Sequence, residues 1–223
     1  EHLEKIFQEE SPSVLLFVSV LGLVPNMPKV VELCEKYDVI LLEDTCESMG
    51  CEYKGKKLGT YGLMSTFSTY FGHHISTIEG GIVTTDDKNI YEMLLSIRSH
   101  GWDRDMSEET QKKLQKKWKV TEFNSLYTFY FAGFNLRSTD LQAFIGIDQI
   151  DKLDDWGACR EENFYIYQDQ IKNNYWKPKT ADDSLTSNFA YPIIHKKRDK
   201  IVNELINNKV EVRPMVCGSM GTQ

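Results

Sequence analysis

The sequence predicts an α/β fold: a large domain on a mainly parallel sheet, followed by part of a small C-terminal α/β domain. Three observations predict it. Residues 14–20 form a β-branched-rich run, residues 39–42 form a second apolar run, and a helical pattern lies between them. Strand, helix and strand at this spacing make a βαβ unit, whose strands run parallel with a right-handed crossover. Strand and helix patterns then keep alternating to the end of the chain.

The first run is bounded by Pro12 and by the Gly22/Pro25 cluster, and its unbroken apolar character predicts a strand buried on both faces. Asn26 is placed to cap the next helix, whose apolar face is Val30, Val31, Leu33 and Cys34. The buried strand at 39–42 runs straight into Glu43 and Asp44. Residues 63–70 and 81–85 read as two more strands, and 88–99 as a helix with Ile90, Met93, Leu94 and Ile97 at helical spacing. The stretch 102–120 is charged, with only Leu114 and Trp118 as an apolar pair, and reads as a mostly helical surface excursion. Ser138-Thr139-Asp140 signals the cap of a long helix through Leu141, Phe144, Ile145, Ile147 and Ile150, and a further helix is expected at about 159–173. A strand at 189–194, a helix at 201–207 and a strand at 210–213 open the smaller domain. The expected division is residues 1–155 and 156–223.

The chain has 223 residues, 26 Lys+Arg against 33 Asp+Glu, and a formal net charge of −7. This acidic balance lacks the basic footprint of a nucleic-acid binder. The longest nearly apolar run, residues 14–24, is too short for a bilayer, which needs about 20 residues. The five cysteines (Cys34, Cys46, Cys51, Cys159, Cys217) form no C-x-x-C and are odd in number, which predicts a reduced, cytoplasmic chain. Residue 1 is Glu, the opening EHLEKIF reads like the middle of a helix, and no secretory signal is present, so a fragment of a longer protein is expected.

In open α/β sheets ligands sit at the carboxyl ends of the strands. Asp44 stands there, either as a helix N-cap or as a charge partner for a protonated ring nitrogen of a ligand. His73 and His74 follow Gly72 just beyond a strand. Neighbouring side chains on extended backbone point to opposite sides, so the pair makes a poor joint metal site, with one ring in a cleft and the other packed. Histidine as a residue type suits a proton shuttle at neutral pH. Glu79-Gly80-Gly81 and Gly133-Phe134-Asn135 are weak signals alone.

Four segments in order carry more: ILLEDTCESMG, STFSTYFGHHISTIEGGIVTTDD, IRSHGWDRD and GFNLRSTDLQAFIGIDQIDKL. Together they resemble the pyridoxal-phosphate-dependent sugar aminotransferases of the DegT–StrS type, over about residues 14–213. The resemblance implies the aspartate-aminotransferase-like fold of type I pyridoxal-phosphate enzymes. Relatives carry a lysine that holds the cofactor covalently. Counted from Phe67 that place falls on His73, with Glu79-Gly80-Gly81 still in register. An imidazole cannot form that bond. Lysine replaced by histidine resembles the family's sugar 3-dehydratase branch, in which a pyridoxamine phosphate cofactor supports removal of the C3 hydroxyl from a nucleotide-linked 4-keto-6-deoxy sugar. Glutamate then restores the amine form, in deoxysugar and lipopolysaccharide (O-antigen) biosynthesis. One histidine-bearing relative adds an iron–sulfur cluster; the scattered cysteines here favour the cluster-independent type.

Residue by residue, the resemblance implies that His73 handles the protons and that Asp44 keeps the pyridine nitrogen protonated. Glu47 lies beside the ring oxygen. Ser68 binds the cofactor phosphate, and Asn135 reaches the phosphate of the neighbouring subunit, so a homodimer with shared sites follows. His100 is a weaker candidate for substrate contact. His74, Cys46 and Cys51 are left as packing residues, and no metal is implied. The family's phosphate loop and ring-stacking aromatic are not recognisable in residues 1–40. Two other readings stay open: a true sugar aminotransferase with an unconventional base, and a regulatory paralogue without turnover. A two-histidine metal site would need metal retained after chelation.

Overall fold

The computed structural model describes residues 1–172 and 175–215. Helix α1 (His2–Glu10) leads through Ser11 to strand β1 (Val14–Val18), and a short 3-10 turn (Val20–Gly22) follows. Helix α2 (Met27–Lys36) is capped as expected, the Asn26 side chain accepting from the Lys29 N–H. Strand β2 (Ile40–Asp44) comes next, then the short strands β3 (Glu52–Tyr53) and β4 (Lys56–Lys57). Strands β5 (Met64–Ser68) and β6 (Gly81–Thr84) flank a loop of twelve residues numbered 69–80. The remainder is mostly helical: α3 (Lys88–Ile97), α4 (Glu108–Trp118), α5 (Glu122–Ser125), α6 (Asp140–Ile150), α7 (Leu153–Gln170) and α8 (Arg198–Asn207), with β7 (Ser184–Leu185) between the last two. No helix among the described residues is long and apolar enough to cross a membrane.

The main sheet has the order β1-β2-β5-β6, parallel except for the last pair. Its register pairs Val14 with Ile40, Leu16 with Leu42, and Val18 with Asp44, which in turn pairs with Thr66. One face packs on α1 and α2, around Phe7, Val24, Met27, Val30, Leu33, Cys34 and Leu41. The other face is uncovered: Val14, Leu16 and Val18 are 47%, 57% and 47% exposed. The first strand is therefore an edge strand with one open face, not one buried on both. An apolar run alone does not say how many layers cover it.

Other expectations need correction. The 189–194 segment forms no strand: Phe189 donates its N–H to the Leu21 carbonyl, and Pro192 has no N–H for a ladder. Nor does 210–213, where the Val210 N–H turns back to Leu205 at the end of α8 and Pro214 follows. Instead β7 joins β3 and β4 in a second small sheet, tying residues 184–185 to residues 52–53. Helix α7 starts at Leu153, six residues before the expected 159, with Asp154 and Asp155 in its first turn where the helix dipole favours anions. Asn173, the expected end of that helix, lies outside the described residues, as does Cys217. The cap of α6 is Thr139, in a reciprocal capping box with Gln142.

Alternation along β2 sends its two terminal carboxylates to opposite faces. Glu43 is 1% exposed on the packed side. Its Oε2 accepts from Gly59 N–H (2.8 Å), and its Oε1 from Tyr61 and Gly62 N–H (2.7 Å each). One buried anion thus closes the turn leading into β5, satisfying three backbone donors that would otherwise be stranded. Replacing Glu43 by Leu should destabilise the protein by about 3 kcal/mol or more, since each stranded donor costs about 1–3 kcal/mol. Urea unfolding measures it, and a loss under about 1 kcal/mol, the net worth of a single hydrogen bond, would show that water reaches the turn.

Candidate active site

Asp44 ends β2 on the open face, half-buried, and its Oδ1 accepts from the Cys46 N–H at 3.1 Å. Thr45, fully buried between them, donates its hydroxyl and its N–H to the Thr66 carbonyl and so holds the strand tip to β5. The carbonyl of Cys46 lies 2.6 Å from His73 Nδ1. A carbonyl oxygen only accepts, so Nδ1 carries the hydrogen, and a neutral His73 ring has its lone pair on Nε2. One residue, Cys46, thereby links Asp44 through its N–H and His73 through its carbonyl. Its own thiol is pushed up to about 12, mainly by burial and then by the hydrogen bond with Asp44, so it stays protonated at neutral pH.

His73 sits on the loop between β5 and β6. That loop is closed by backbone bonds from Thr69 to Gly80, Phe71 to Ile78, Thr77 to Thr69 and His73 to Tyr70. Gly80 has φ +152°, and a Cβ there would fall 2.6 Å from the Thr77 hydroxyl, so the Glu-Gly-Gly signal marks a close approach. The two histidines part company as expected, but on a turn and not on extended backbone, the His73 N–H bonding back to the Tyr70 carbonyl. His73 is half-buried, its ring 4.9 Å from that of Phe189. His74 is 4% exposed and donates Nε2–H to the Ser187 carbonyl at 2.8 Å, while its Nδ1 has no partner among the described residues.

Ser68 ends β5 two residues beyond Thr66, on the same face as Asp44, and its Oγ accepts the Tyr70 N–H at 3.3 Å. Glu47 accepts the Leu21 N–H at 2.8 Å and faces Arg213 at 3.6 Å. Leu21 and Gly22 both have positive φ (57° and 73°), and a Cβ on Gly22 would strike the backbone of Ser187 and Asn188 at 2.7 Å. This tight turn lets the 187–189 segment pass close enough to bring Phe189 against His73. Arg213 lies over the Phe189 ring itself, its guanidinium carbon 5.0 Å from the centroid.

Asp44, Glu47, Ser68 and His73 are therefore gathered at the carboxyl ends of β2 and β5. Asn135 and His100 are not. Both are exposed, and they belong to one another's neighbourhood: Asn135 bridges Ser99, and the His100 N–H donates to Phe134. No hydrogen bond or ring contact among the described residues joins them to the His73 cluster. Sequence reasoning missed Phe189, Arg213 and the Cys46 carbonyl. The first two lie over 100 residues downstream of His73, and a backbone carbonyl has no signature in residue type.

Burial pushes the His74 imidazole down from 6.5 to about 4. The folded protein thus holds it neutral while the unfolded chain lets it take a proton. Stability should rise with pH between about 4 and 6.5, by about 3 kcal/mol in total at 1.4 kcal/mol per unit. Urea unfolding at several pH values should show a flatter profile for His74→Gln, which keeps a donor for Ser187. Parallel profiles for the two proteins would refute the assignment.

Residues 1–219 match the DegT/DnrJ/EryC1/StrS aminotransferase family. The chain is 36% identical over 215 residues to GDP-4-keto-6-deoxy-D-mannose 3-dehydratase of Yersinia pseudotuberculosis, covering 94% of this chain and 54% of that one. The Escherichia coli enzyme of that name, solved with bound hydrated pyridoxal phosphate, superposes with a TM-score of 0.82 at 32% identity, covering 99% of this chain and 57% of that chain. A GDP-4-keto-6-deoxymannose-3-dehydratase with a trapped adduct of pyridoxal phosphate and glutamate gives 0.81 at 32% identity, over 95% and 55%. The chain spans about half the length of the curated relatives it matches.

Proposed function

The chain belongs to the DegT/DnrJ/EryC1/StrS aminotransferase family, and from that membership we propose that the intact protein is a pyridoxal-phosphate-dependent nucleotide-sugar 3-dehydratase. Its substrate is a nucleotide-linked 4-keto-6-deoxy sugar, with glutamate as amino donor, in cytoplasmic deoxysugar and lipopolysaccharide biosynthesis. The observation that carries the reading is His73 on the lysine position of the family motif, hydrogen-bonded at 2.6 Å to the carbonyl of Cys46, whose own N–H binds Asp44.

The residues present fit a phosphorylated pyridine. A carboxylate (Asp44) and a hydroxyl (Ser68) leave one sheet face at neighbouring strand ends, which suits a cationic ring nitrogen and a phosphate. When bound, the pyridoxamine form of the cofactor supplies an amine for the 4-keto group and a ring that accepts the electron pair. The protein's part is proton handling and orientation. Asp44 holds a proton on the ring nitrogen. The Nδ1–H bond to Cys46 fixes the His73 ring and aims its basic Nε2 outward, so Nε2 is the atom that takes a proton and delivers it to the departing C3 hydroxyl. Glu47 would lie beside the ring oxygen of the bound cofactor, and Phe189 covers one side of the imidazole and limits water there.

A homodimer with shared sites belongs to this reading, with Asn135 serving the neighbouring subunit's phosphate and His100 touching substrate. It is supported by the exposure of the apolar side chains Phe123, Tyr127, Phe134, Leu141, Phe144 and Ile147, which a second copy would cover. The division into residues 1–155 and 156–223 is likewise part of the reading, since the larger sheet draws all its strands from the first span.

The test is product analysis with the intact protein, pyridoxal phosphate, glutamate and GDP- or CDP-linked 4-keto-6-deoxyhexoses. A 3-deoxy-4-keto sugar with released ammonia is expected; an amino sugar would establish an aminotransferase instead. His73→Lys should retain the cofactor through gel filtration, because an amine captures its aldehyde covalently, and should lose dehydration by about 10²–10⁴-fold, the usual worth of a general acid–base group. Dehydration at the wild-type rate in that variant would remove His73 from the mechanism.

A further inference from the structure

We propose that Gln149 is a positioning residue that holds His73 in its Nδ1–H tautomer by gripping the backbone of Ser76. The inference rests on the reading of His73 as the proton-handling group.

The grip is a complete one. Gln149 Oε1 accepts the Ser76 N–H at 3.0 Å, and Nε2 donates to the Ser76 carbonyl at 2.6 Å and to Ile145 in its own helix at 2.8 Å. A single side-chain amide therefore satisfies both backbone groups of one loop residue, as a neighbouring strand would. Two further residues on the same helical face support the contact. Gln142 Nε2 donates to the Glu79 carbonyl at 2.6 Å, and the Cα of Gly146 approaches so closely that a Cβ would lie 3.1 Å from Thr77 Cγ2. Positions 142, 146 and 149 recur at i, i+4 and i+7, one stripe of α6 laid along the loop.

Ser76 is three residues from His73, and what lies between is rigid. Ile75 is buried, and His74 is buried with its Nε2–H on Ser187. The His73 backbone N–H is held by Tyr70 on the other side. The loop is thus pinned upstream at Tyr70 and downstream at Ser76, and the His73 ring must meet the Cys46 carbonyl from that fixed base. A 2.6 Å hydrogen bond tolerates little displacement. Releasing Ser76 removes the downstream tie nearest His73 on the α6 side, leaving the Thr77 N–H on the Thr69 carbonyl. Nδ1 then loses its partner part of the time, and the ring can place its hydrogen on Nε2, where it can no longer accept a proton.

The experiment uses the intact protein and reads the imidazole directly, by side-chain nitrogen NMR of His73 without substrate, at a pH where the ring is neutral. In the wild type the Nδ1–H form should dominate. In Gln149→Met, which keeps the length and packing of the side chain but neither hydrogen bond, the Nε2–H form should become readily visible. With substrate, kcat should fall about 10-fold, as small misplacements of a reacting group do, while KM changes less than about twofold. Gly146→Ala is the second variant. It displaces the loop by a few tenths of an ångström with the Gln149 bonds kept, and should move the tautomer ratio in the same direction. An unchanged ratio in folded Gln149→Met, or in Gly146→Ala where the first variant does not fold, overturns the proposal. If the wild type makes no deoxy sugar but the ratio shifts, the positioning stands and the dehydratase reading fails.

Discussion

The hydrogen bond from His73 Nδ1 to the Cys46 carbonyl is the contact on which the arrangement at the sheet's carboxyl edge depends. It crosses from the loop after β5 to the turn after β2, so two segments from different strands share one local frame. It also decides chemistry, because a donor on Nδ1 leaves the basic lone pair on Nε2. Asp44 is tied into the same frame by the N–H of the same residue. The carboxylate and the imidazole are thereby positioned by backbone groups, which a change of side chain at Cys46 would leave in place.

Several parts of this were legible in the residue string. The βαβ spacing and the cap at Asn26 follow from local chemistry, and each is found in the structure. The split between His73 and His74 is found as well, though it arises on a turn and not from period-two backbone. Coverage of the first strand was not legible. Val14 to Val18 has the composition of a buried strand, and burial is a property of what is laid over it. The 189–194 run failed for a related reason: its β-branched and aromatic residues fit a strand, but Pro192 and the competing acceptor at Leu21 decide otherwise.

The site residues divide along the same line. Asp44 was read from its place at a strand end, and His73 and Ser68 from the family motif. The groups that hold them, the Cys46 carbonyl and Gln149, act through the backbone, and Phe189 arrives from a distant segment through the glycine turn at Gly22. Asn135 and His100 share a neighbourhood of their own, linked across Ser99. Side chains of chemical interest can be read from type and spacing. Their supports depend on tertiary path, which residue type does not encode.

Glu43 and Asp44 stand side by side in the chain yet serve unrelated ends, one as the anchor of a buried turn and one at the carboxyl edge of the sheet's open face. Deleting a single residue within β2 would bring Asp44 to the buried position, and inserting one would bring Glu43 to the outer one. After a deletion the buried amides would meet an aspartate one methylene too short; after an insertion the outer position would present a glutamate one methylene too long. This stretch of chain can accept changes of identity at Ile40 or Leu42 far more readily than any change of length. Across evolutionary time its spacing should be guarded more strictly than its spelling.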